Sequence, residues 1–130
     1  MEIRKKTISI ISADKDFRAR LKMYLKGAFF SSFPPTDQLL FDYIQSHKID
    51  YYLIDHPNCC VELSDLYNFL KEHSADSKLL FVVRDEQHKE LCTKKRSLKN
   101  LLIQKEKFEE HLQQGHLYKD EIRHYILNKK

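Results

Sequence analysis

The chain has 130 residues, 42% of them hydrophobic, which is the size of one domain with its own core. Average usage would give about nine glycines at this length, but only Gly27 and Gly115 are present, so glycine-rich phosphate loops of dinucleotide and P-loop proteins are excluded. A net charge of +4, from 23 basic and 19 acidic residues that are interspersed, implies solubility and at most weak steering toward anions.

No apolar run approaches 18 residues, and Met1 to Lys6 lack the apolar stretch of a secretory signal. The expectation is a cytoplasmic protein with no membrane contact. Cys59, Cys60 and Cys92 are odd in number and two are adjacent, which argues against a disulfide framework and agrees with a reducing compartment.

In chain order, Thr7 to Ser12 is a short β-branched run and reads as a buried strand. Asp14 is a candidate N-cap for a helix carrying Phe17, Leu21, Tyr24 and Leu25, with Gly27 as its C′ residue. Ala28 to Phe33 makes a second strand ended by Pro34-Pro35. Thr36 then caps a helix with Leu39, Leu40, Tyr43 and Ile44 on one face.

Ile49 to Asp55 is a nearly continuous apolar run, the pattern of a central strand covered on both faces, with Tyr51 and Tyr52 on opposite sides. Leu63, Leu66, Tyr67 and Leu70 form a third helical stripe ending near His73 to Ser77. Lys78 to Val83 is another central strand, Asp85 to Ser97 has room for a short helix, and Asn100 to Gln104 is a fifth strand. Glu106 to His116 reads as an extra short helix or loop inserted before a C-terminal helix marked by Tyr118, Ile122, Tyr125 and Ile126.

Five strands alternating with helices predict right-handed crossovers and one domain spanning 1–130. The expected fold is a flavodoxin-like doubly wound parallel sheet of order 2-1-3-4-5 with helices on both faces. Function then belongs at the C-terminal strand ends: Ser12, Ala13, Asp14, Asp55, His56, Val83, Arg84 and Lys105.

These residues resemble the receiver domains of bacterial two-component response regulators. Arg18, Leu21 and Leu25 occupy the family's helical positions, Asp50 matches its upstream aspartate, and Asp55 falls on the phosphoacceptor. Lys105 falls on the active-site lysine. The departures point elsewhere. Ser12 and Ala13 stand where the family keeps the acidic pair that holds Mg²⁺, and neither offers the carboxylate that a hard cation needs. Val83 replaces the phosphoryl-contacting hydroxyl residue and Leu102 the aromatic switch. Cys59 and Leu63 stand where a Pro and a Gly follow the acceptor, and Glu106 where a Pro follows the lysine.

Phosphotransfer to aspartate depends on a cation and a lysine neutralising the moving group. The resemblance, with these losses, implies a pseudo-receiver: no enzyme, no cofactor, and a phosphorylation-independent protein-interaction module in signalling. Asp55 and Lys105 would then form a structural ion pair. The implied partner is a protein, such as a sensor kinase or regulator, or a second copy of the chain. The expected interaction face comprises Lys94, Lys95, Arg96, Lys99, the 106–116 segment, His124 and Tyr125.

Two alternatives stand beside this. One is a working phosphoacceptor in which Asp14 replaces the acidic pair and Mg²⁺ binds. The other is a small basic nucleic-acid-binding protein using Lys94 to Arg96, though no aromatic interleaving or helix-turn-helix pattern accompanies the run. The His56, Cys59, Cys60 cluster lacks the second ligand pair of a structural zinc site, so small thiols packing in a loop are the simpler reading.

Overall fold

The computed structural model describes residues 6–25, 27, 29–84, 86–88, 91 and 102–113. Five strands, β1 (Lys6–Ile11), β2 (Phe29–Ser32), β3 (Tyr51–Asp55), β4 (Lys78–Val83) and β5 (Leu102–Gln104), form one sheet of order β2-β1-β3-β4-β5. Every neighbouring pair is parallel. The four longer helices are α1 (Lys15–Leu25), α2 (Leu39–Ser46), α3 (Leu63–His73) and α4 (Lys105–Gln113), with a single 3₁₀ turn at His56–Asn58 after β3. This is the flavodoxin-like α/β architecture expected from the alternation of strand and helix patterns.

Parallel strands need crossover helices, and covering both sheet faces buries both sides of the central strands. All five residues of β3 are buried. Its alternation divides them between two apolar layers. Tyr52 and Ile54 face Leu40, Ile44, Leu63, Leu66 and Leu70 of α2 and α3. Tyr51 and Leu53 face Phe17, Leu21 and Leu25 of α1 and Phe108 of α4. Asp55, the next residue in the alternation, is directed toward the α1/α4 side, where its partner Lys105 begins α4.

Local chemistry sets the element boundaries. Asp14 caps α1: its Oδ1 accepts from the backbone N–H groups of Asp16 and Phe17, at 3.1 and 3.2 Å. Gly27, just beyond α1, has φ +94°, the left-handed conformation in which a Cβ is strained. Glu62 caps α3 by accepting from the N–H groups of Ser64 and Asp65.

The start of α2 differs from expectation. The helix begins at Leu39, and Asp37 rather than Thr36 receives the Leu39 N–H, at 3.0 Å. Thr36 instead gives its carbonyl to the N–H of Cys60, at 2.9 Å, tying the loop before α2 to the loop after β3. On α2, Leu40 and Ile44 are buried while Leu39 is 58% exposed. Strands β2 and β3 are shorter than the apolar runs suggest, and β1 ends one residue earlier, leaving Ser12 in the loop.

At the opposite end of the sheet, Asp50 fastens β1 to β3. Its Oδ2 accepts from the N–H and hydroxyl of Thr7, at 2.9 and 3.0 Å, and its own N–H donates to that hydroxyl, at 3.0 Å. The helical segment following β5 starts at Lys105 and seats Phe108 against Phe17, with ring centroids 5.9 Å apart. The stripe from Tyr118 to Ile126 lies outside the described residues.

Candidate functional site

The C-terminal ends of β1, β3 and β5 bring Ser12, Asp55 and Lys105 together. Asp55 closes β3 and is fully buried. Lys105 opens α4 directly after β5, and its Nζ donates to Asp55 Oδ1 and Oδ2 at 3.0 and 2.9 Å. Ser12 donates its hydroxyl to Oδ2 at 2.7 Å, and the Asn58 side-chain amide donates to the same oxygen at 2.9 Å. An ionised carboxylate can accept about four hydrogen bonds, and here four are provided by the protein itself.

The supporting contacts hold these donors in place. The Ser12 hydroxyl oxygen accepts from the Asp14 N–H at 3.1 Å, so its proton is directed at Asp55. The Ala13 N–H donates to the Asn58 carbonyl at 2.9 Å, joining the β1–α1 loop to the 3₁₀ turn. Phe17 flanks the charged end of this cluster, its ring centroid 5.0 Å from Lys105 Nζ. A buried carboxylate is costly unless it is paired and hydrogen-bonded; here Lys105 pairs it, Oδ2 accepts three hydrogen bonds and Oδ1 one.

Asn58 was not legible as a site residue. Its side chain resembles any polar loop residue in the sequence, and only the 3₁₀ turn returns it to the carboxylate three positions earlier. The signal available in advance was an amide three residues past a buried acid.

Mg²⁺ does not fit this donor set. Ser12 supplies a neutral hydroxyl already committed to Asp55, and Ala13 supplies no side-chain oxygen. Asp14 Oδ1 is engaged in capping α1, and Asp55 holds an ammonium at both oxygens. A hard divalent ion would have to displace these donors and would have only Asp14 and Asp55 as carboxylates. Among the described residues no group of three or more His, Cys, Asp or Glu side chains could hold a metal ion.

No family model, curated protein or solved structure matches the chain.

The remaining strand-end residues do not join the carboxylate. Val82 is the register partner of Asp55, Val82 and Val83 are both buried, and neither side chain carries a hydroxyl. Leu102 is buried opposite Phe81 in the layer under α2 and α3. Ala13 and Arg84 are exposed, while His56 places Nδ1 3.4 Å from Gln87 Oε1. Leu63 is buried at the start of α3.

The two described cysteines separate. Cys60 is exposed, whereas Cys59 is half-buried and offers its thiol to the Thr36 carbonyl, with Sγ 3.7 Å from the oxygen. Burial pushes the Cys59 thiol pKa up, and the neighbouring Cys60 and Asp55 act in the same direction against a weaker backbone hydrogen bond from Val61. The raised pKa of Cys59 makes it a poor nucleophile at neutral pH, and among the described residues no group of three or more His, Cys, Asp or Glu that could hold a metal ion includes it.

Lys94, Lys95, Arg96, Lys99, His124 and Tyr125, the residues expected to form an interaction face, lie outside the described residues, as does Cys92. No helix among the described residues is long and apolar enough to cross a membrane.

Proposed function

We propose that this chain is a receiver-like signalling protein of the pseudo-receiver type, acting in the cytoplasm as a phosphorylation-independent protein-interaction module without enzymatic activity. The observation that carries the reading is the closure of Asp55: four hydrogen bonds from Lys105, Ser12 and Asn58 occupy a fully buried carboxylate. To accept a phosphoryl group, one oxygen would have to leave this network and attack phosphorus with only Lys105, and no acidic pair to hold a divalent cation, to neutralise the incoming charge. In this reading Asp55 and Lys105 serve the fold.

The same pair supports the scaffold role in a second way. It ties the end of β3 to the start of α4, so the carboxylate helps define where the segment after β5 sits against α1. A module that presents a fixed surface benefits from such a lock.

Incubation of the full chain with a small-molecule phosphodonor and Mg²⁺, followed by intact-mass analysis, tests the proposal. The expected result is no phosphoryl adduct. Stoichiometric phosphorylation mapped to Asp55 would overturn the reading in favour of a working phosphoacceptor.

A further inference from the structure

We infer that the groove between α2 and α3 docks a basic amphipathic helix of a partner protein, one carrying two cationic side chains a heptad apart on either side of an apolar residue. The inference rests on the interaction-module reading and assigns that module a surface.

The groove encloses about 530 Å³. Its floor is aromatic: Phe41 of α2 and Phe69 of α3 meet edge to face with centroids 4.7 Å apart, and both are only partly buried. Asp65, Asn68, Phe69 and Glu72 line it from α3, Phe41 from α2 and Gln38 from the residue before α2, and no lysine or arginine is among its lining residues. The chain as a whole carries +4, so this groove reverses the prevailing sign locally.

Spacing supplies the complementarity. Asp65 and Glu72 are seven residues apart on α3, two turns and about 10 Å along one helix face, with Phe69 between them. A partner helix laid along the groove repeats its side chains with the same period. Lysines or arginines at its positions i and i+7 would meet the two carboxylates, and an apolar residue at i+3 or i+4 would rest on Phe41 and Phe69.

Glu72 gives an independent reason. Asp65 lies in the first turn of α3, where the helix dipole favours an acid, but Glu72 lies in the last turn, where it is disfavoured. Its side chain is 76% exposed, and the His73 Nε2 lies 3.9 Å away. Helix stability argues against an acid there, whereas a basic partner argues for one.

The test is a titration of the ¹⁵N-labelled full chain with a synthetic helical peptide bearing two lysines seven residues apart around a central leucine. Amide shifts centred on Phe41, Asp65, Phe69 and Glu72 are expected, with no binding of a scrambled peptide that splits the lysines between opposite faces. Glu72→Lys should weaken binding roughly tenfold or more, because like charges are then juxtaposed. The same variant should raise the Tm, so weaker binding cannot be ascribed to unfolding. Shifts confined to another surface, equal binding of the scrambled peptide, or indifference to Glu72→Lys would each overturn the inference. Sedimentation showing a dimer of the chain that Glu72→Lys dissociates would assign the groove to a second copy and also overturn it. Phosphorylation of Asp55 would instead remove the interaction-module reading without altering this titration, so the two failures are distinguishable.

Discussion

Lys105 Nζ lies within 3.0 Å of both carboxylate oxygens of Asp55, although fifty positions separate the residues in the chain. The carboxylate is fully buried and the lysine side chain is 14% exposed, so water can replace little of what either would lose.

Removing one partner therefore strands the other. Asp55→Asn or Lys105→Met should each destabilise the fold by about 3–5 kcal/mol. Chemical denaturation of the two single variants and the double variant would show a double loss well below the sum of the single losses, because the second change removes a charge already left uncompensated. Additive losses would contradict the pairing.

Ser12 is the hydroxyl neighbour of Asp55 just past the end of β1. Ser12→Asp should lower the Tm in metal-free buffer, because it sets a second carboxylate beside a buried one. Added Mg²⁺ should recover part of that loss by bridging the two acids, while the unaltered protein should show no Mg²⁺-dependent shift. Ser12→Ala is expected to cost about 1–3 kcal/mol through the hydrogen bonds it removes from Asp55 and from the Asp14 N–H.

Tyr52 sets an alkaline limit to stability. Burial raises its hydroxyl to about 12, only partly opposed by the nearby Ser74, and the hydroxyl makes no full hydrogen bond. The folded pKa lies above the ordinary value of 10, so this contribution is complete below pH 10 and is lost as pH rises toward 12, where the unfolded chain ionises first. Tyr52→Phe should flatten that decline and leave neutral-pH stability unchanged or improved, as denaturation midpoints measured between pH 8 and about 11 would show.

Thiol labelling should distinguish the neighbouring cysteines. At neutral pH an alkylating reagent is expected to modify exposed Cys60 first, since the raised pKa and partial burial of Cys59 leave less thiolate and less access. Fragmentation of the peptide containing both residues reads the order directly, and in denaturant the difference should disappear.

The pattern of residues was enough to establish the order of the sheet. Continuous apolar runs in β3 and β4 mark strands covered on both faces, and the intervening 3.6-residue stripes mark crossover helices, so few topologies were compatible with the chain. Asp14 and Gly27 were readable for the same reason: a cap and a left-handed turn are local requirements satisfied by residue type. The beginning of α2 was less legible because Thr36, Asp37 and Gln38 are all plausible helix-start residues, and the choice depends on the bond from Cys60 to the Thr36 carbonyl across the molecule.

The same division runs through the site. Sequence alone placed Asp55 and Lys105 at strand ends and showed that Ser12 and Ala13 carry no carboxylate, because strand ends and side-chain chemistry are properties of the chain itself. Only the tertiary structure decided that Lys105, Ser12 and Asn58 converge on one carboxylate. Those hydrogen bonds depend on sheet register, the 3₁₀ turn and the start of α4, which bring together segments 43 and 50 residues apart. Distance in space, not residue type, turns an acid at the end of a strand into a closed ion pair.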